Sequence, residues 1–249
     1  MAEPPTPATP ATLASLAAIK IFADGASLAS MLEAARDPRI AGFTTNPTLM
    51  RKAGVADYRA FAREVLAEIR DKPISFEVFA DDAAGMRRQA REIATWGDNV
   101  YVKVPVTNTR GEPSTEVIRD LAADGVKLNV TALCTLDQVR TVGGALAGGP
   151  PSVISVFAGR IADTGRDPIP IMREALAICR DADRRIQLLW ASPREALNIV
   201  QAAEIGCDII TCTPDLLAKL GLHGKDLALY SLETVQMFHR DAEAAGYKL

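Results

Sequence analysis

Residues 99–107 read NVYVKVPVT, apolar and β-branched almost throughout, yet with Lys103 at the centre between Val102 and Val104. Successive side chains of a strand point to opposite faces, so Tyr101, Lys103 and Pro105 share one face and the two valines the other. Valines suit a face covered by helices, which turns Lys103 toward an enclosed interior. Burying an unpartnered ammonium costs several kcal/mol, so burial drives its pKa down toward neutrality. A neutral amine is a nucleophile that can form a Schiff base with a carbonyl. The competing reading is structural, a lysine paired with a buried carboxylate such as Asp24 or Glu77.

Outward from this stretch, short β-branched runs alternate with longer amphipathic ones. Upstream, IKIFAD (19–24), AGFTTNP (41–47) and ISFEVFA (74–80) read as strands. They precede the helical patterns 27–36, 57–69 and 82–96, the last with Asp82 as N-cap. The opening strand leads into a helix over 113–125, with Gly125 suited to its C-terminal end. Downstream, VKLNVTAL (126–133), PSVISVFA (151–158), RIQLLWA (185–191) and CDIITC (207–212) each precede a helical pattern, at 135–146, 167–180, 192–206 and 213–220. The 192–206 helix is expected to carry Pro193 in its first turn. A final helix is expected over 225–245.

Eight strand–helix units imply a parallel sheet and have the arithmetic of an α/β fold, the (β/α)8 TIM barrel, with an additional C-terminal helix. The alternative, a doubly wound open sheet, usually carries a glycine-rich turn after its first strand, and IFADGAS has no GxGxxG. The glycines of GGALAGGP (143–150) fall at a helix end and read as a loop. Residues 1–15, rich in Pro, Ala and Thr, are expected to be a flexible tail ahead of one barrel domain, 16–249.

In such a barrel, reacting groups lie at the carboxyl ends of the strands. Those ends read Asp24, Asn46, Glu77, Lys103, Asn129 with Thr131, Ser155, and Ser192 just beyond the seventh strand. A single polar strand end needs no explanation, but a succession of seven suggests one shared polar centre. Asp24 and Glu77 would put two carboxylates beside the amine, able to divide the proton transfers of imine chemistry and retro-aldol cleavage. Asn46, Asn129 and Ser155 are neutral groups of the kind that hold sugar hydroxyls. Arg160 and Arg194, on late loops, are either solvated surface charges or an anion site, with Ser192 and the first amides of the 192–206 helix as further donors.

Composition narrows the classes. Apolar residues at 48 % and charged ones at 24 % are those of a soluble globular chain, and a net charge of −3 gives no general attraction to nucleic acid or anionic membrane. The first residues lack a basic, then apolar, signal pattern, and no apolar run reaches a membrane-spanning length, so a cytoplasmic protein is expected. Cys134, Cys179, Cys207 and Cys212 form no CxxC pair, and the two histidines lie far from them, which argues against a zinc cluster. Reduced thiols packed as small hydrophobes are expected.

The motifs resemble those of the transaldolase family. GFTTNPTLM (42–50) is similar to its TTNP signature, and VYVKVPVT (100–107) to its Schiff-base lysine motif. NVTAL (129–133), ISVFAGRIAD (154–163), WASPRE (190–195) and ITCTPDLL (210–217) match further segments in the same order, so the resemblance runs over about residues 19–220. It implies a dihydroxyacetone unit carried on Lys103, Asp24 as general acid and base, and Glu77 and Thr131 positioning a water. It further implies Asn46, Asn129 and Ser155 on the dihydroxyacetone portion and Arg160, Ser192 and Arg194 on phosphate. Phosphorylated sugars are the implied partners, in pentose phosphate chemistry, with no metal and no organic cofactor. The family's fructose-6-phosphate aldolases typically carry Gln and Tyr where this chain has Glu77 and Phe157, which favours transfer over free cleavage. A tyrosine hydroxyl can protonate the bound enamine and release it; phenylalanine cannot. FADGAS departs from the Leu-Asp-Thr/Ser pattern usual at the first strand, so the support around Asp24 differs. A homo-oligomer is expected, the last helix with Tyr230, Met237 and Phe238 packing on its own barrel or on a neighbour.

Overall fold

IKIFAD forms the first strand, β1 (Lys20–Asp24), in the computed structural model, which describes residues 18–248. The expected N-terminal tail, 1–15, lies outside the described residues. Seven further strands follow: β2 (Ile40–Thr44), β3 (Ile74–Glu77), β4 (Val100–Pro105), β5 (Leu128–Leu133), β6 (Ser152–Val156), β7 (Ile186–Trp190) and β8 (Ile209–Cys212). All pair in parallel in chain order, and β8 returns to β1, closing an eight-stranded barrel. The TIM barrel legible in the repeat is therefore the observed fold, and the open-sheet alternative is excluded.

The helices are α1 (Leu28–Ala35), α2 (Pro47–Lys52), α3 (Tyr58–Glu68), α4 (Ala83–Ala94), α5 (Thr115–Ala123), α6 (Leu136–Leu146), α7 (Ala158–Asp163), α8 (Pro168–Ala182), α9 (Leu197–Glu204), α10 (Pro214–Ala218) and α11 (Leu227–Ala245). Their starts are chemically marked. Asp57, Asp82, Thr135 and Asp226 each accept a first-turn amide, and Thr135 with Gln138 completes a capping box. Gly125, just past α5, takes φ +81, a backbone conformation that glycine adopts without a Cβ clash. Two compact units divide after Leu217, and the second holds a short 3-10 turn (Lys219–Leu222) and α11.

Strand alternation sets two layers. Val102, Val104, Val130, Ile154, Leu188 and Ile210 face outward and are fully buried, each such side chain contributing roughly 1.5–3 kcal/mol. Inside, Phe22, Val153, Leu189, Ala191 and Ile209 cluster, with Tyr101 and Phe157 packed against them. The Phe22 ring occupies the space a Cβ on Gly42 would need, 2.6 Å away. Above this apolar plug, the same inward faces end in polar groups.

Three sequence expectations are corrected. AGFTTNP is strand only to Thr44, because Asn46 caps α2. The helix expected over 192–206 begins at Leu197, so Pro193 lies in the loop before it. Cys134 is exposed, whereas Cys179, Cys207 and Cys212 are buried free thiols whose pKa burial pushes up to about 12.

Candidate active site

Lys103 sits on the inward face of β4 and is 7 % exposed. Its Nζ lies 3.2 Å from Glu77 Oε2 on the adjacent β3 and donates to the Thr45 carbonyl at 2.9 Å. Register puts the two residues side by side, Glu77 against Lys103. The lysine thus has a carboxylate partner, the pairing that the structural reading of the sequence demanded. Removing either member alone would strand a buried charge, at a cost of roughly 3–5 kcal/mol. The Glu77 backbone is itself fixed by Tyr58 on α3, whose hydroxyl accepts from Glu77 N at 2.7 Å and donates to Glu77 O at 3.0 Å.

Asp24 ends β1 beside this pair. Burial raises its pKa above the usual carboxylate range, while the Lys103 charge and the Thr44 hydrogen bond pull it back down. Thr44 on β2 donates to Asp24 Oδ1 at 2.8 Å, and its oxygen also lies 2.5 Å from the Thr211 hydroxyl on β8. A threonine has one proton to give, so with Asp24 ionised the chain runs from Thr211 to Thr44 to Asp24.

Around the rim, Asn129 on β5 donates to Ser75 at 2.9 Å and accepts from Ser155 at 2.7 Å. These two bonds fix the amide and leave its second N–H for the interior. Thr131 is buried with no partner for Oγ1 among the described residues. A break in the β5–β6 pairing after Val130, with Ala132 at φ +68, accompanies this turn of the backbone. Asn46 Oδ1 accepts from Leu49 N at 3.0 Å, so only its amide nitrogen is left for a ligand.

Beyond β6 the chain enters α7, a helix of six residues absent from the sequence reading. Phe157 precedes it and Arg160 lies on it, the guanidinium 5.8 Å from the Phe157 ring centre. Gly159 is required there: a Cβ would stand 1.6 Å from the Ser192 carbonyl oxygen. Ser192, at φ +60, leads the loop into α9.

These residues enclose one cavity of about 420 Å³ at the carboxyl end of the barrel. Asp24, Asn46, Glu77, Lys103, Asn129, Thr131, Ser155, Phe157, Arg160 and Ser192 all line it. Arg194 does not. Its guanidinium pairs with Asp163 on α7 at 2.6 Å and donates to the Ser192 hydroxyl and carbonyl. The expected amide donors are also lost, since the N–H groups of Arg194 and Glu195 are taken by Asn198 Oδ1. Thr44 and Thr211 line the cavity and were missed, as were the supporting Ser75 and Tyr58. Among the described residues, no group of three His, Cys, Asp or Glu side chains could hold a metal ion. No helix among them is long and apolar enough to cross a membrane.

Residues 21–249 match the family described as Transaldolase/Fructose-6-phosphate aldolase. A probable transaldolase of Roseiflexus castenholzii is 42 % identical over 194 residues, 78 % of this chain and 85 % of that one. One from Dehalococcoides mccartyi is 34 % identical over 205 residues, covering 82 % and 91 %. Among solved structures, a putative phosphonomutase of Burkholderia cenocepacia J2315 superposes with a TM-score of 0.56 at 13 % identity, covering 90 % of this chain and 94 % of that one. At that identity the likeness is one of fold alone.

Proposed function

Because the chain belongs to the transaldolase/fructose-6-phosphate aldolase family, we propose that it transfers a dihydroxyacetone unit from a ketose phosphate to an aldose phosphate through a Schiff base on Lys103. The observation that carries this reading is Lys103 Nζ, buried at the carboxyl end of the barrel beside Glu77, in one cavity with Asp24. Sedoheptulose 7-phosphate or fructose 6-phosphate is the proposed donor.

Lys103 adds to the C2 carbonyl, and the carbinolamine loses water to give the imine. Glu77 and the unpartnered Thr131 hydroxyl hold that water as it leaves and later returns. Asp24 takes the C4 hydroxyl proton as the C3–C4 bond breaks, and the electron pair passes into the imine to give an enamine. The aldose phosphate departs. The enamine carbon then attacks the acceptor aldehyde, Asp24 returns the proton to the new hydroxyl, and water releases the product from Lys103. Asn129, Ser155 and the Asn46 amide hold the dihydroxyacetone hydroxyls. Arg160 and Ser192 take the phosphate, with Arg194 fixing Ser192. Glu77 and Phe157 in place of Gln and Tyr support transfer over free cleavage, and a cytoplasmic location goes with these substrates.

Borohydride reduction with fructose 6-phosphate, followed by peptide mass mapping, tests the reading. A reduced three-carbon adduct on Lys103 is expected, and no adduct, or one elsewhere, overturns the Schiff base. Product formation is expected to require an acceptor such as erythrose 4-phosphate. Steady release of free dihydroxyacetone without acceptor would assign an aldolase instead.

A further inference from the structure

A second cavity, of about 660 Å³, opens between the loop after β5, α6, α7 and the start of α8. Three arginines line it: Arg140 on α6, Arg160 on α7 and Arg166 in the turn before α8. Arg140 is held by Asp137 and Glu174. Arg160 and Arg166 have no carboxylate within ion-pair distance among the described residues, and Arg166 makes only a hydrogen bond to Thr164. Asp163, beside Arg160 on the same helix, is taken by Arg194. Leu136, Ile161 and Ile171 give the wall an apolar part, and Cys134, Thr135, Thr164 and the Arg140-paired Asp137 complete it. Two cations outside any ion pair, beside apolar side chains, recognise an anion that carries a flat or apolar body. Arg160 also lines the catalytic cavity, so one residue borders both spaces.

We propose that this second cavity binds a small organic phosphate, and that the bound phosphate draws Arg160 away from the catalytic cavity. The binding claim rests on the cavity alone. The coupling rests on the reading that Arg160 holds substrate phosphate. An occupant of the second cavity then weakens capture of phosphorylated sugars and leaves unphosphorylated ones unaffected.

Phenyl phosphate, titrated calorimetrically into the whole chain, is the probe. Arg166→Ala and Ile171→Asp, both remote from Lys103, are expected to weaken binding by about tenfold or more, while Ser192→Ala leaves it unchanged. No binding at millimolar probe, unchanged binding in Arg166→Ala, or loss in Ser192→Ala alone overturns the site. The coupling is read from borohydride trapping. Phenyl phosphate is expected to raise the fructose 6-phosphate concentration needed for half-maximal adduct, but not the dihydroxyacetone concentration, and Arg166→Ala should abolish the difference. Equal effects on both sugars overturn the coupling. If neither sugar forms an adduct, the Schiff-base reading fails while the titration still decides the site.

Discussion

The Asp24 carboxyl ends β1 inside the barrel, where burial, the largest influence on it, holds its pKa above the ordinary value. A raised carboxyl pKa means that the folded chain binds the proton more tightly than the unfolded chain. The stability it contributes is full below the unfolded pKa and is lost as pH rises through the folded one. Ionised Asp24 at neutral pH therefore costs stability. Asp24→Asn keeps an oxygen to accept the Thr44 hydrogen bond, so its Tm at pH 7 should equal or exceed that of wild type, with the difference shrinking as the pH falls. Turnover should drop about 10²- to 10⁴-fold. Melts across pH and a rate assay check both, and a lower Tm at every pH would show the attraction to Lys103 outweighing desolvation. Lys103, Asp24 and Glu77 were legible in sequence because a charge in an apolar strand is costly. Thr44, Ser75 and Thr211 were not, because a lone hydroxyl in a strand fits there on local grounds, and Thr131 and Ser155 stood out only as members of the polar series. Their roles appear only in the closed barrel, where Thr44 and Thr211 meet Asp24 across β1, β2 and β8 and Ser75 meets Asn129 of β5.

Helix α7 shows the same limit one scale up. Six residues make under two turns, too few for an apolar period, so ISVFAGRIAD reads as strand and loop. Pro193 misled in the other direction. It has the look of a first-turn proline, but Ser192 takes a left-handed backbone and the helix waits until Leu197. Arg194, which the resemblance placed on phosphate, ties the β7 loop to α7 through Asp163. Gly159 is the other tie, since its missing side chain admits the Ser192 carbonyl. Gly159→Ala should separate α7 from the β7 loop and carry Arg160 and Ser192 off register. We expect a loss of about 1–3 kcal/mol in stability. KM for fructose 6-phosphate should rise about tenfold or more, equivalent to the loss of one charged hydrogen bond, while the dihydroxyacetone concentration for half-maximal borohydride adduct changes little. A wild-type KM would mean that the two loops are aligned by something other than this contact.

For the whole molecule, the repeat was enough to give the barrel because runs such as IKIFAD and RIQLLWA supply apolar residues on both faces, as strands buried between helices and lumen require. Closure itself leaves no local mark, and only the count of eight implied it. Assembly was less legible. Within its own unit, α11 carries Leu227, Leu229, Tyr230, Leu232, Val235, Met237 and Phe238, which at 100° per residue are spread around the whole circumference. None of its residues is buried. Although Glu233, Arg240 and Asp241 interleave with them, exposed apolar side chains in this number mark an interface. We therefore expect the chain to be a homo-oligomer with α11 at the contact. Light scattering coupled to size exclusion should give a mass at least twice that of the monomer. Leu232→Glu with Phe238→Glu should reduce that mass while circular dichroism keeps the barrel signal. A monomeric wild type would overturn the assembly, and an unchanged mass in the double variant would move the interface away from α11.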